Sequence, residues 1–224
     1  MFFVENRVDG DSRVAPAVVQ SEMFAGHATT NGTPFVYKAE EEIFGEGEPA
    51  EFVYKVVAGA VRSYKLLADG RRQIGAFHLP GDFFGLESVG QHQLTAEAIV
   101  KTKVVLLKRS SLEALAVRDV AIAYALWITA AKNLRNAEGH MILLGRKTAL
   151  ERVATFLLDL DQRLNGGGKL DLPMSRRDIA DYLGLTLETV SRAMSHLRHA
   201  GVLELSGARH VEIQRALLGQ LLQD

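Results

Sequence analysis

The chain contains no cysteine. Disulfides, thiolate metal sites and cysteine-held iron–sulfur clusters are therefore excluded for the sequence as it stands, and the absence fits a reducing cytoplasm. Long apolar runs are missing too: nothing approaches the ~18 uninterrupted residues of a membrane span. The opening MFFVENRVDGDSRVAP has neither a sustained apolar core nor a small-residue cleavage site, so no signal peptide is expected. Excess positive charge is also lacking, with 26 Lys+Arg against 27 Asp+Glu and a net charge of −1. Residues 146–224 hold 11 basic and 10 acidic side chains, and residues 1–145 hold 15 and 17. Any basic footprint must therefore be local. No G-x-S-x-G, P-loop or His-Glu-x-x-His pattern occurs, so an enzyme is not expected. The seven histidines stand at 27, 78, 92, 140, 196, 199 and 210. His196 and His199 lie three apart with no third ligand at suitable spacing, so no metal and no cofactor are expected. His78, in FHLPGDFFG, is expected to pack beside a turn.

What is present describes a globular protein: 224 residues, 47% hydrophobic and 24% charged, enough for one large or two modest domains. Residues 1–22 mix charge with Gly, Ser and Pro and read as a loosely held tail, followed by a short helix near Ser21–Ala25. From Phe35 the pattern changes to short runs at Phe35–Tyr37, Glu42–Phe44, Phe52–Val57, Ala60–Leu67, Arg71–Phe77, Thr95–Val100 and Lys103–Lys108. Turn signals separate them, Asp69-Gly70 being the strongest hairpin signal, and the set predicts an antiparallel barrel or sandwich. SSLEAL then opens a short helix capped by Ser110 or Ser111. From Val117 to Leu144 there is no proline, and the only glycine is Gly139. Ala123, Trp127, Ala130, Leu134, Ala137, Met141 and Leu144 follow alternating steps of four and three, an a/d seam. Such a seam serves either a helix docked on its own barrel or a coiled-coil contact between two copies, and its regularity favours a homodimer.

After a helix at Thr148–Leu164, the stretch LPMSRRDIADYLGLTLETVSRAMSHLRHAGVL carries the main signal. Ser175 caps a first helix, with Asp178 standing in for the usual Glu of a capping box. Ile179, Ala180 and Leu183 share one face, and Gly184 turns the chain. Thr186 caps a second helix with Val190, Met194 and Leu197 at helical spacing, and Gly201 closes it. This is the form of a helix-turn-helix, whose second helix enters a DNA major groove; a purely structural helical hairpin has the same form. Leu187, Glu188, Ser191 and Arg192 fall off the apolar stripe, in position to read bases. Glu188 and Arg192, four apart, make either a surface ion pair or a cytosine- and guanine-reading pair. Ser175, Arg176, Arg177, Thr186, Thr189, His196 and Arg209 are candidate phosphate contacts. Val202–Leu205 and His210–Ile213 predict a small hairpin, and Arg215–Leu222 a last helix.

That stretch resembles the DNA-binding domain of the CRP/FNR superfamily of bacterial transcription regulators, and Glu188-x-x-Ser191-Arg192 is similar to its FNR and FixK branches. The likeness extends over roughly residues 24–222. It implies an α+β chain: an antiparallel β jelly-roll related to cyclic-nucleotide-binding domains, a long dimerisation helix, and a winged helix-turn-helix. The expected divisions are 1–22, 23–116, 117–145 and 146–224. The resemblance further implies RNA polymerase as a partner, a TTGA-type inverted repeat as the site, and low-oxygen, respiratory or nitrogen-fixation genes as targets. Relatives that bind cAMP carry Gly-Glu and later Arg-Ser. Here Leu86 stands at the acidic position and Leu94 near the basic one, so cAMP is not expected, and a buried phosphate would lack its guanidinium. The alternatives are a regulator gated by an unidentified small molecule in the roll, and a helix-turn-helix that binds protein.

Overall fold

The computed structural model of the chain describes residues 32–87, 90–164, 167–207 and 209–222. The expected tail at 1–22 and the helix at Ser21–Ala25 lie outside the described residues. Among the described residues eight strands come first: β1 (Thr33–Tyr37), β2 (Glu42–Phe44), β3 (Phe52–Ala58), β4 (Val61–Leu66), β5 (Arg72–His78), β6 (Phe83–Phe84), β7 (Thr95–Ala98) and β8 (Thr102–Lys108). They form two four-stranded antiparallel sheets, ordered β1-β8-β3-β6 and β2-β7-β4-β5. Phe44, Tyr54, Val56, Val61, Phe84, Ala96 and Val104 come from both sheets and fill the space between them. β6 escapes a pattern reading because two residues are too few for alternation to register.

Aromatic rings occupy much of that interior. His92 stacks on Phe44 at 3.5 Å between centroids, Tyr54 stacks on Phe84 at 5.1 Å, and His78 stacks on Phe84 at 4.9 Å. His78 Nε2 lies 2.8 Å from Ser63 Oγ. Burial pushes the His78 imidazole down from 6.5 to about 4; Asp82 opposes the shift and Arg163 adds to it. A histidine depressed in the fold contributes stability that is intact above its unfolded pKa and lost as pH falls toward the folded value. The window here is pH 6.5 to about 4, and the full loss is about 3 kcal/mol. Urea unfolding of wild type and His78→Gln at pH 7 and pH 4.5 is expected to give a visibly flatter pH dependence for the variant. An equal slope in the two proteins would remove His78 from the acid response.

The described helices begin with α1 (Arg109–Arg118) and α2 (Val120–Arg146). Two sequence expectations need correction here. The β8 strand runs straight into α1 with Lys108 at the cap position and no side-chain bond, so neither Ser110 nor Ser111 caps it. The long helix starts at Val120 rather than Val117, because Asp119 breaks the helical run and accepts from the Ala121 N–H at 2.8 Å. Ile122 and Ala125 of α2 pack with Val53, Phe83, Leu107 and Leu112, which docks the start of the helix on the roll.

The remaining elements are α3 (Ala149–Leu164), β9 (Lys169–Asp171), α4 (Arg176–Leu183), α5 (Leu187–His199), β10 (Leu203–Ser206), β11 (His210–Ile213) and α6 (Arg215–Leu221). The expected hairpin of β10 and β11 gains β9 as a third strand, in the order β10-β11-β9. Phe156, Leu157 and Leu160 of α3 share one core with Ile179, Leu183, Val190, Met194 and Leu197. That core also takes in Ile74, Phe77, Leu79 and Ile99 of the roll, so the two halves of the chain are joined by apolar packing. Among the described residues no helix is long and apolar enough to cross a membrane.

Candidate nucleic-acid interface

Two adjacent caps build the interface. Ser175 Oγ accepts from the Asp178 N–H at 3.1 Å, and Asp178 Oδ2 accepts from the Ser175 N–H at 3.0 Å, completing the capping box. Gly184 ends α4 at φ 62° and ψ 39°, the left-handed region where a side chain is strained. Thr186 then caps α5, its Oγ1 accepting from the Thr189 N–H at 3.2 Å. Val190, Ala193, Met194 and Leu197 bury one face of α5. The opposite face is left to solvent: Leu187, Glu188 and Arg192 are exposed and Ser191 is half-buried. A helix N-terminus capped in this way, with its polar face bare, can enter a groove without disturbing its own core.

Glu188 and Arg192 share that face but are not bonded to each other among the described residues. The Glu188 carboxyl is held below the ordinary range by a backbone hydrogen bond and the Thr186 side chain, with Arg177 and Arg192 adding to it. It stays ionised and is therefore an acceptor only. Arg177, Thr186, His196 and Arg209 are exposed around the same end, and Arg176 and Thr189 are half-buried. The Thr186 and Thr189 hydroxyls lie 3.0 Å apart, and the Thr186 hydroxyl also serves the Glu188 carboxylate. Ser175 differs from the expectation. Its hydroxyl donates to Asp178 Oδ2 at 2.7 Å, so the side chain serves the cap and has no proton for a phosphate.

On α2, Trp127 is 69%, Leu134 61% and Met141 68% exposed, and Ala130 and Ala137 face outward with them. Ala123 is half-buried, and so is Leu144, whose Cδ2 lies 3.5 Å from where a Cβ on Gly184 would stand. The last seam residue therefore turns toward its own helix-turn-helix. Tyr124 and Ile142, absent from the expected seam, widen the exposed apolar face.

Several organising residues escaped the sequence reading. Tyr182 of α4 stacks flat on His140 at 3.9 Å and leans on Phe77 at 5.1 Å and Phe156 at 5.7 Å. Asp82 takes Lys132 of α2 at 3.0 Å and Arg163 of α3 at 2.7 Å. Burial works against its charge, but Arg163 and Lys132 outweigh it and hold the carboxyl low. In the stretch where the resemblance expects a nucleotide cassette, Leu86 packs on the cluster under α1 and α2. Glu87 Oε2 lies 3.2 Å from His92 Nδ1.

Residues 151–218 match the Crp-like helix-turn-helix domain, and residues 34–119 match the cyclic nucleotide-binding domain. The chain is 49% identical over 185 residues to the nitrogen fixation regulation protein FixK of Azorhizobium caulinodans, covering 80% of this chain and 75% of that one. It is 42% identical over 192 residues to FixK of Rhizobium meliloti, covering 85% and 88%. The solved structure of FixK2 from Bradyrhizobium japonicum is similar with a TM-score of 0.82 and 64% identity, covering 85% of this chain and 96% of that one. These relatives are transcription regulators, not enzymes, and the DNA-reading part of the fold is the helix-turn-helix. The chain belongs to the CRP/FNR superfamily of transcription regulators, in its FixK-like branch.

Proposed function

We propose that the protein is a homodimeric, cytoplasmic activator that reads a TTGA-type palindrome and recruits RNA polymerase with no small-molecule effector. Its genes would be those of low-oxygen respiration or nitrogen fixation, as the names of the FixK relatives suggest. The observation that carries DNA reading is the bare first turn and a half of α5, with Leu187, Glu188 and Arg192 exposed opposite a fully packed stripe. In this reading Arg192 reads guanine, Glu188 a cytosine amino group and Leu187 a thymine methyl, while Ser191 lets the helix approach.

Independence from an effector is supported by the roll interior. A ligand switches a protein only through different affinities for two states, and the rings of Phe44, Tyr54, Phe84 and His92 pack against one another inside the roll. The reading is tested by transcription in vitro from a TTGA-type palindrome, using purified protein and polymerase. Activation without additives is expected, unchanged by cAMP or haem. A second reading, ligand gating at the roll, has one feature in its favour: an open cleft of about 950 Å³ between the β4–β5 turn and α4. Silence relieved by an added small molecule would sink the effector-free reading and promote this one.

A further inference from the structure

Helix α4 is held from the roll by an ionic contact that bridges more than 100 positions of sequence. Arg62 projects from β4 and is only 4% exposed. Glu40 and Glu97 grip it from within the roll, and its Nη1 reaches Asp178 Oδ1 at 3.0 Å. Arg72, at the start of β5, donates from Nη2 to the same oxygen at 2.6 Å and from Nε to Asp181 Oδ2 at 2.9 Å. Its guanidinium also lies over the Tyr64 ring at 5.5 Å. One carboxylate therefore has two duties. Oδ2 of Asp178 closes the capping box of α4, and Oδ1 receives both arginines of the roll.

The other side of α4 is fixed as well. Arg152 of α3 donates to the Leu183 and Leu144 carbonyls at 3.0 and 2.8 Å. His140 Nε2 lies 2.8 Å from the Tyr182 carbonyl. Because α4 and α5 share a buried core across the Gly184 turn, whatever orients α4 also orients α5. Apolar packing between roll and helices supplies attraction without direction. A largely buried cluster of crossed ion pairs adds little net stability but admits few geometries, even with Arg62 Nε left without a hydrogen-bond partner.

We infer that Arg62 and Arg72 are positioning residues for DNA reading: through Asp178 and Asp181 they set the angle at which the recognition helix leaves the β-roll. The inference rests on the palindrome reading above for its consequence, since two recognition helices must enter grooves ~34 Å apart. A tilt of the helix-turn-helix spoils that spacing while leaving each half-site contact intact.

Two measurements test it on the full chain. First, the absence of cysteine allows a spin-label pair at Lys103→Cys on the roll and Arg198→Cys on α5, diluted with unlabelled protein. One narrow distance is expected in the parent, broadened by Arg72→Gln and by Asp181→Asn, with Arg72→Lys partly restoring it. These half-exposed positions are chosen because loss of the more buried Arg62 risks the fold itself. Second, palindrome affinity of both variants should fall roughly 2- to 30-fold, with a flattened dependence on half-site spacing and single half-site binding nearly unchanged. A narrow, unshifted distance in both variants overturns the inference, as does an equal loss on palindrome and half-site. If distances broaden but the parent ignores TTGA palindromes, the positioning stands and the proposed site falls.

Discussion

Leu134→Arg is expected to turn the protein into a monomer that no longer holds a palindromic site. Leu134 stands in the middle of an apolar face on α2, with Trp127 on one side and Met141 on the other, all more than half exposed. Monomeric proteins rarely leave so many large apolar groups bare on one helix; such a face marks an interface. The inward residues Ile122, Ala125 and Leu143 are committed to the chain's own cores. The outward stripe is thus free for a second copy, in the a/d manner of a coiled coil. In a two-fold dimer the substitution would place two cations against each other at a dry seam. At roughly 3 kcal/mol for each unpaired buried charge, association weakens by about four orders of magnitude. The substituted position faces outward, so the thermal transition of the monomer should stay close to that of the parent at low concentration. Sedimentation equilibrium decides: an unchanged dimer would move the interface elsewhere on the molecule.

The parts of this protein that were legible in the sequence are those written by near neighbours. Ser175 with Asp178 and Thr186 with Thr189 are contacts three residues apart, so the caps of both helices could be read directly. The strand and helix periods were legible for the same reason, and so was the outward stripe of α2. Short elements supported only by distant partners were not. β9 is three residues that, among the described residues, pair with β11, 39 to 43 positions away, and its own pattern carries no period. The break at Asp119 did leave a signal, since Asp is a favoured cap, but the apolar periodicity on both sides of it hid the interruption. The contact of Arg62 with Asp178 spans 116 positions. An arginine inside the run Val61-Arg62-Ser63-Tyr64 hints at an outer strand face that meets something acidic. The sequence does not say which carboxylate that is, and the capping role of Asp178 already accounted for its presence.

Loss of the Arg192 guanidinium is the second large effect. On α5 this residue sits one turn after Glu188, exposed, with no carboxylate bonded to it among the described residues. Its donors are therefore uncommitted before DNA arrives, and a bidentate contact to guanine O6 and N7 would cost no broken ion pair. Arg192→Ala should weaken the cognate palindrome by ~1–3 kcal/mol per half-site and relax discrimination at the G·C pair. Arg177 offers the contrast. It is exposed on the first turn of α4, beside the caps and near enough to Glu188 to act on its charge, and in the proposed reading it meets phosphate rather than base edges. Arg177→Ala should lower affinity for every sequence alike and shallow the salt dependence by about one unit of slope. Both variants keep the buried stripe of α5 intact, so their melting transitions should match the parent's. Titrations against the palindrome and against single base-pair replacements of it, at two salt concentrations, separate the roles. A uniform loss from Arg192→Ala across all of those sequences would make that residue a phosphate contact, and the guanine assignment would fall with it.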